Sequence, residues 1–336
     1  MTAPRPIRRA ARRAAVAAGA VVLVCAAVAL SALRDARRPR EVPVLMYHNV
    51  LPPEACDDVY KVAADEFAAQ LDDLLAAGYE TVLPGDLERA ARGRGFLPRK
   101  PVVVTFDDGY EGVLRHAEPE LARRGMKAIC YAIADRLSTN PAVRETFDSG
   151  PLMTAAEARA MARRGVVSLG VHSRTHSPSP AVILSEIPSS RRALLARTGV
   201  KSRDYSHPFG QWAAPGLTNA VVAAGYRTAV ICGDRPFRYA PDADFLRMPR
   251  LSVYGGVHLA GLVGVDFAAG RATVTNAGAR LPLRLLALAP DGTAVATSGV
   301  LRVGPREGAV VFSFGGPVSG ASRIEGRDAS LLFRYF

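Results

Sequence analysis

The sequence predicts an α/β fold, a distorted (β/α) barrel. Two observations predict it. Between residues 42 and 254, short apolar segments alternate with helical ones. The polar clusters in that stretch, Asp107-Asp108, His172/His176 and His207-Pro208-Phe209, fall at the ends of apolar segments. Continuous apolar strands between helices suit a parallel sheet covered on both faces. In such barrels the chemistry sits at the C-terminal strand ends.

The elements follow in order. Val42–Tyr47 reads as a buried strand that ends at His48. Residues 62–77 read as an amphipathic helix, with Phe67, Leu71 and Leu75 four apart and Gly78-Tyr79 as its stop. Glu80–Leu83 is a short strand. Pro101–Phe106 is a valine-rich strand bounded by Pro101 and by Asp107-Asp108-Gly109. A helix from about Val113 to Arg124 and the strand Lys127–Ala132 come next. Thr154 and Glu157 form a capping-box pattern that opens a helix ended by Gly165. Val166–Val171 is a strand. Helices are expected near 188–198 and 215–224, before Asp204–Phe209 and Tyr226–Ile231 in turn close the series.

After Gly256 the pattern changes. Ala272–Thr275, Leu283–Leu288, Val295–Val303 and Ala309–Phe314 read as strands, with Asp291-Gly292 as a hairpin turn. Three regions are therefore expected: a leading segment over 1–41, a catalytic domain over 42–255, and a β-rich accessory module over 256–336 without a catalytic cluster.

The net charge is +12, but residues 1–40 hold nine Arg against one acid, Asp35. The body carries little excess, so no groove for a nucleic-acid backbone is indicated. Residues 14–33 form an uncharged apolar run of 20, long enough for one membrane span. Three readings stay open: a retained signal-anchor with a cytoplasmic tail, a signal cleaved near Ala29, or a buried helix of a soluble protein. The first two place the rest of the chain outside the cytoplasm. Cys25 follows Val24 and is a poor lipidation candidate; Cys56, Cys130 and Cys232 make no disulfide framework.

The chemistry-bearing residues come in two clusters. Neighbouring carboxylates such as Asp107 and Asp108 are costly unless a cation or strong donors compensate. His172 and His176 are four apart, a spacing that meets on one face of a helical turn. With one carboxylate they suit a zinc-like ion with an open position for water. Such an ion activates water and polarises a carbonyl, and the spare carboxylate takes the proton. Backbone N–H groups at Pro208-Phe209-Gly210 are placed to hold an oxyanion. Together these parts cleave an amide or an ester.

On the motifs Thr105-Phe106-Asp107-Asp108-Gly109-Tyr110 and His172-Ser173-Arg174-Thr175-His176, the chain resembles the polysaccharide deacetylases of carbohydrate esterase family 4, over residues 42–254. Pro43–Tyr47-His48, Phe67 to Gly78-Tyr79, and Tyr205 to Gly210 resemble the branch acting on bacterial poly-N-acetylglucosamine. The resemblance implies Asp107 as general base and Asp108, His172 and His176 as ligands of zinc or another divalent metal. It implies the Phe209 N–H in the oxyanion hole and an acetylated polysaccharide as substrate. Two departures stand out. Ser206 occupies the place of an arginine that orients the catalytic aspartate, and Arg250 is the candidate replacement. His258 lies off the usual spacing of the general acid, with His48 and His207 as alternatives. Asp234 is a lesser candidate for orienting a site group, and His116 reads as structural. Two other functions stay open: a glycan O-acetyl esterase, and a glycan-binding protein that keeps the metal site without turnover.

Overall fold

In the computed structural model, seven parallel strands close on themselves in chain order. They are β1 (Val44–Tyr47), β2 (Pro101–Phe106), β3 (Ala128–Ala132), β4 (Val167–Val171), β5 (Asp204–Ser206), β6 (Thr228–Gly233) and β7 (Met248–Ser252). The structure describes residues 5–253 except 57–59, 211 and 234; beyond 253 it describes mainly seven further strands. Leu251 of β7 pairs with Leu45 of β1, and Val44 of β1 pairs with Val103 of β2. That joint closes the ring. Glu80–Thr81 adds to the start of β2 from outside the ring, and Arg40–Val42 pairs antiparallel with Phe237–Tyr239.

Every residue of β1, β2 and β3 is buried. A strand alternates its side chains between faces, so uninterrupted burial needs cover on both. Val44, Val103, Ile129, Tyr131, Val230 and Met248 pack in one cluster, within the ring. Leu45, Val102, Val104, Phe106 and Cys130, one residue away from those, pack in the outer cluster against the helices. Gly170 makes room inside, since a β-carbon there would come within 2.2 Å of the Tyr131 ring.

The outer layer consists of α2 (Ala64–Ala76), α4 (Glu118–Arg123), α5 (Ala155–Arg164), α6 (Pro180–Thr198) and α7 (Leu217–Ala223). One further helix, α3 (Pro84–Ala91), was not expected. It adds Leu87, Ala90 and Ala91 to the inner cluster at the N-terminal ends of the strands, which form the floor. Its Pro84-Gly85 start reads as a turn, but Pro84 is at the first helical turn, where its missing N–H costs nothing. The Asp86 carboxylate accepts the Leu83 N–H at 2.8 Å. At α5 the expected capping box forms: the Glu157 N–H donates to Thr154 Oγ1 at 3.3 Å, and the Thr154 N–H donates to Glu157 at 2.9 Å. Gly165 ends the helix at φ 76°. α6 starts earlier than expected because Pro188 lies inside it rather than at its start.

Helix α1 runs Arg5–Ala36 and contains the apolar run 14–33. The structure does not support the expected membrane span. No helix among the described residues is long and apolar enough to cross a membrane. All four cysteines are free thiols.

Beyond residue 253, Leu262–Asp266, Arg271–Thr275 and Ala309–Ser313 form one antiparallel sheet. Pro282–Leu288 pairs with Ala294–Thr297, Leu301–Arg302 and Arg323–Asp328 in another. Two of these strands, Leu262–Asp266 and Arg323–Asp328, were not expected. The predicted turn at Asp291-Gly292 lies outside the described residues.

Candidate metal centre and active site

Asp107 and Asp108 follow the last residue of β2. Both are buried, at 3% and 4% exposure. Their environments differ sharply. Arg250, on β7 and wholly buried, grips Asp107 with two parallel bonds, Nη1 to Oδ1 and Nη2 to Oδ2, each 2.7 Å. Such a fork-on-fork pair is the strongest arrangement available to a carboxylate. Arg250 also donates to Thr105 Oγ1 at 3.2 Å and to Ser206 Oγ at 3.0 Å; the Ser206 hydroxyl donates to Asp107 Oδ2 at 3.3 Å. Arg250 thus supplies the charge that position 206 lacks, reaching Asp107 from β7, two strands away across β1. Burial alone would push the Asp107 carboxyl up, but Arg250 outweighs it and holds the group far below the usual range.

Asp108 lacks such a partner at Oδ1, which is buried without a hydrogen bond. Burial, and then the neighbouring Asp107 charge, push its carboxyl well up. The Tyr110 hydroxyl acts the other way and limits the shift. His172 Nε2 lies 3.6 Å from Asp108 Oδ1, and His176 Nε2 lies 3.7 Å from the same atom. Ligand atoms of Asp108, His172 and His176 all fall within 4.8 Å of one another. Burial pushes the His172 imidazole down to about 3 and also lowers His176. Both rings are therefore neutral at pH 7, as metal ligands must be. His172 Nδ1–H donates to the Ser206 carbonyl at 2.9 Å, which fixes the tautomer and leaves Nε2 facing Asp108. The orphaned Asp108 oxygen and the two neutral imidazoles fit a zinc-like ion. A cation there would reverse the upward shift of Asp108.

The two histidines do not meet through helical spacing. Residues 172–176 are a loop after β4. Ser173 and His176 take left-handed backbone angles, φ 58° and 60°, and the ring centroids end 4.8 Å apart. Among the described residues only four non-glycine positions have positive φ: these two, Asp108 at 71° and Phe209 at 56°. All four lie in the site. Each costs roughly 1–3 kcal/mol, so the surrounding bonds must hold them.

Phe209 belongs to the short helical turn Pro208–Gly210 after β5. Its ring is half exposed and packs 4.4 Å from the His176 ring, while Phe147 packs on His176 from another direction at 5.1 Å. Phe147 sits on a hairpin, Thr146–Phe147 with Gly150–Pro151, that sequence patterning missed. The hairpin is tied to the site: the Ser149 N–H donates to the Tyr110 hydroxyl at 3.2 Å, and Asn49 donates to the Ser149 carbonyl at 2.9 Å.

The remaining candidates separate. His48 follows β1 at the mouth, acts electrostatically on Asp107, and packs 4.8 Å from the Tyr60 ring. His207 is buried against Tyr205. His116 lies in the helical turn Val113–Ala117. His258 and Asp234 lie outside the described residues.

Residues 95–229 match the family model described as Polysaccharide deacetylase. The Bacillus subtilis protein YxkH, provisionally named a polysaccharide deacetylase, is 26% identical over 60% of this chain and 67% of its own length. The Escherichia coli poly-beta-1,6-N-acetyl-D-glucosamine N-deacetylase is 29% identical over 38% of this chain, but the match spans only 20% of that protein. The structure of IcaB from Ammonifex degensii superposes with a TM-score of 0.55 at 26% identity, covering 63% of this chain and 91% of IcaB. Streptococcus pyogenes PplD, solved with acetate, shares the fold at a TM-score of 0.55 and 22% identity, over 65% of this chain and 94% of its own. The matched segment holds the Asp107-Asp108 pair and the histidines His172 and His176, and the chain carries a polysaccharide deacetylase domain.

Proposed function

We propose that the chain is a metal-dependent hydrolase that removes N-acetyl groups from an extracellular or cell-wall polysaccharide resembling poly-N-acetylglucosamine. One observation carries this reading. Two adjacent buried aspartates are split into different states, Asp107 locked ionised by Arg250 and Asp108 left open toward two neutral imidazoles. The kinship with the poly-N-acetylglucosamine deacetylase of Escherichia coli supports the substrate class.

Asp108, His172 and His176 would hold the ion. Bound there, it supplies Lewis-acid polarisation of the acetyl carbonyl and a lowered pKa for water. Asp107 takes the water proton at Oδ2, the oxygen 3.7 Å from His172 Nε2. Arg250 keeps Asp107 charged and aimed, and Ser206 steadies both. The Phe209 N–H would serve the oxyanion, since the turn at Pro208–Gly210 holds Phe209 beside His176. The proton donor to the leaving nitrogen is one of three histidines: His258 first, with His48 at the mouth after β1 and the buried His207 as the alternatives. The Phe209 and Phe147 rings pack against His176 from different directions.

The catalytic domain spans 42–255 and works outside the cytoplasm, where such polymers lie; the arginine-rich start ahead of an apolar run supports export. The strands over 256–336 serve as a β-rich accessory module in glycan binding or stability. The test is acetate release from N- and O-acetylated glycans, with and without chelator. Release from N-acetylated polymer that stops with chelator and returns with zinc is expected. Release from O-acetylated glycan alone would make the chain an esterase. No release from either, with glycan still bound, would make it a binding protein.

A further inference from the structure

The geometry points to Glu186, on α6, as the positioning residue that holds the metal-ligand loop in shape and sets the reach of His176. This inference rests on the metal reading above. Glu186 is 8% exposed and lies outside the ligand cluster. Its Oε2 accepts the backbone N–H of Arg174 at 3.0 Å and of Thr175 at 3.2 Å. Its Oε1 accepts the Thr175 hydroxyl at 2.5 Å. One carboxylate therefore satisfies three donors on the two residues just before His176.

Those bonds matter because of the backbone they hold. Arg174 and Thr175 lie between Ser173 and His176, the two left-handed positions of the loop. Left-handed non-glycine residues persist only where neighbours over-determine them. The loop has a second clamp from β3's side: Ala134 N–H donates to the Ser173 carbonyl at 3.2 Å, and Asp135 N–H to the Arg174 carbonyl at 2.9 Å. That clamp takes the loop's carbonyls; Glu186 takes its N–H groups. The Ser173 hydroxyl accepts the His176 N–H at 3.0 Å and completes the turn. Glu186 is carried by the interior of α6, where its main-chain carbonyl accepts the hydroxyls of Ser189 and Ser190 at 3.0 Å and 2.8 Å. Removing the carboxylate orphans two backbone donors and frees the loop to leave its left-handed angles. His176 then swings off the position that faces Asp108. His172 is anchored separately through Ser206 and stays.

The test is zinc affinity of the full chain, stripped of metal and titrated against a chromophoric chelator. Glu186→Ala is expected to weaken zinc about ten- to hundredfold, the usual scale for residues that orient a ligand. Glu186→Gln keeps an acceptor for the two N–H groups and is expected to stay within about threefold, since geometry rather than charge is at work. Glu186→Asp, one methylene short, is expected to fall between them and guards against failure of the alanine variant to fold. The cobalt spectrum should show a lost nitrogen ligand in Glu186→Ala alone. Wild-type affinity in both Glu186→Ala and Glu186→Asp would overturn the inference. So would equal losses in Glu186→Gln and Glu186→Ala, which would assign the effect to charge. A wild-type chain that binds no zinc or cobalt would overturn the metal reading and this inference with it.

Discussion

Asp107 and Asp204 are aspartates at opposite ends of one barrel, the first buried and the second partly buried, and their carboxyls are pushed in opposite directions. Asp107, at the mouth, is gripped by Arg250 and held ionised. Asp204, at the floor, opens β5 and accepts the Thr228 hydroxyl, at 2.5 Å. Burial pushes its carboxyl up. The floor is a place where a carboxylate is tolerated; the mouth is a place where one is prepared. The same contrast holds for the backbone. Every left-handed non-glycine residue among those described lies at the mouth, whereas α5 beside it follows ordinary capping rules. The left-handed residues and the orphaned Asp108 oxygen lie together, where a ligand would relieve them.

The sharpest test of that contrast is to neutralise each aspartate. Asp107→Asn is expected to keep fold and zinc content while losing about two decades or more of turnover, the usual scale for a lost general base. Metal titration and acetate release on one preparation check it. Full activity in that variant would remove Asp107 from the chemistry. Asp108→Asn should instead lose metal first, and excess zinc should restore part of the rate.

Next comes the grip itself. Arg250→Met leaves Asp107 buried without a counter-charge and is expected to cost about 3–5 kcal/mol in urea unfolding at pH 7. The sign with pH is fixed by the shift. Asp107 is depressed in the folded wild type, so its contribution is present above the unfolded carboxylate range and fades as pH falls toward the folded value. Arg250→Met should therefore gain stability on acidification through that range, where wild type loses it. Parallel curves would mean that the pair is not coupled as the geometry implies.

Asp204→Asn should leave turnover unchanged and alter neutral stability by about 1 kcal/mol or less, without loss, as expected where burial opposes the charge. Its folded carboxyl is raised, so wild type has full benefit at low pH and loses it as pH rises through the folded value. The asparagine variant should lack that slope. A large loss of activity would show that the floor takes part after all.

The smallest effect is expected at α5. Arg144 holds Glu157 down to about 2, with the Thr154 bonds adding to it. Glu157→Gln should cost about 1 kcal/mol, the scale of a weakened cap, because solvent screens the half-exposed pair. The wild-type benefit is present above the ordinary glutamate range and disappears as pH falls through about 2. Thermal unfolding between neutral and acid pH checks it.

Local patterning made much of this legible. Pro101–Phe106 is a buried strand because six apolar or β-branched residues in a row leave no solvent face. The Thr154–Glu157 box and Gly165 marked both ends of α5 because capping is a matter of a few adjacent residues. The ligand set was legible as residue types, Asp-Asp and a spaced pair of histidines. Their manner of meeting was not. The histidine spacing suggested a helical turn, yet a loop with two left-handed residues brings the rings together. α3 was missed because Pro84-Gly85 signals a turn unless the helix that follows has a floor to cover.

The sequence by itself determined the parallel α/β pattern, the two motifs and the strand ends that bear them, because each rests on neighbours in the chain. Only the tertiary structure decided that the sheet closes at seven strands, since closure depends on β7 finding β1 across some two hundred residues. Closure is also what carries Arg250 to Asp107 and sets the Ser206 carbonyl against His172. Those bonds join residues far apart in the chain, and no local preference encodes a distance between them. Their strength comes from burial, a property of the packed barrel as a whole.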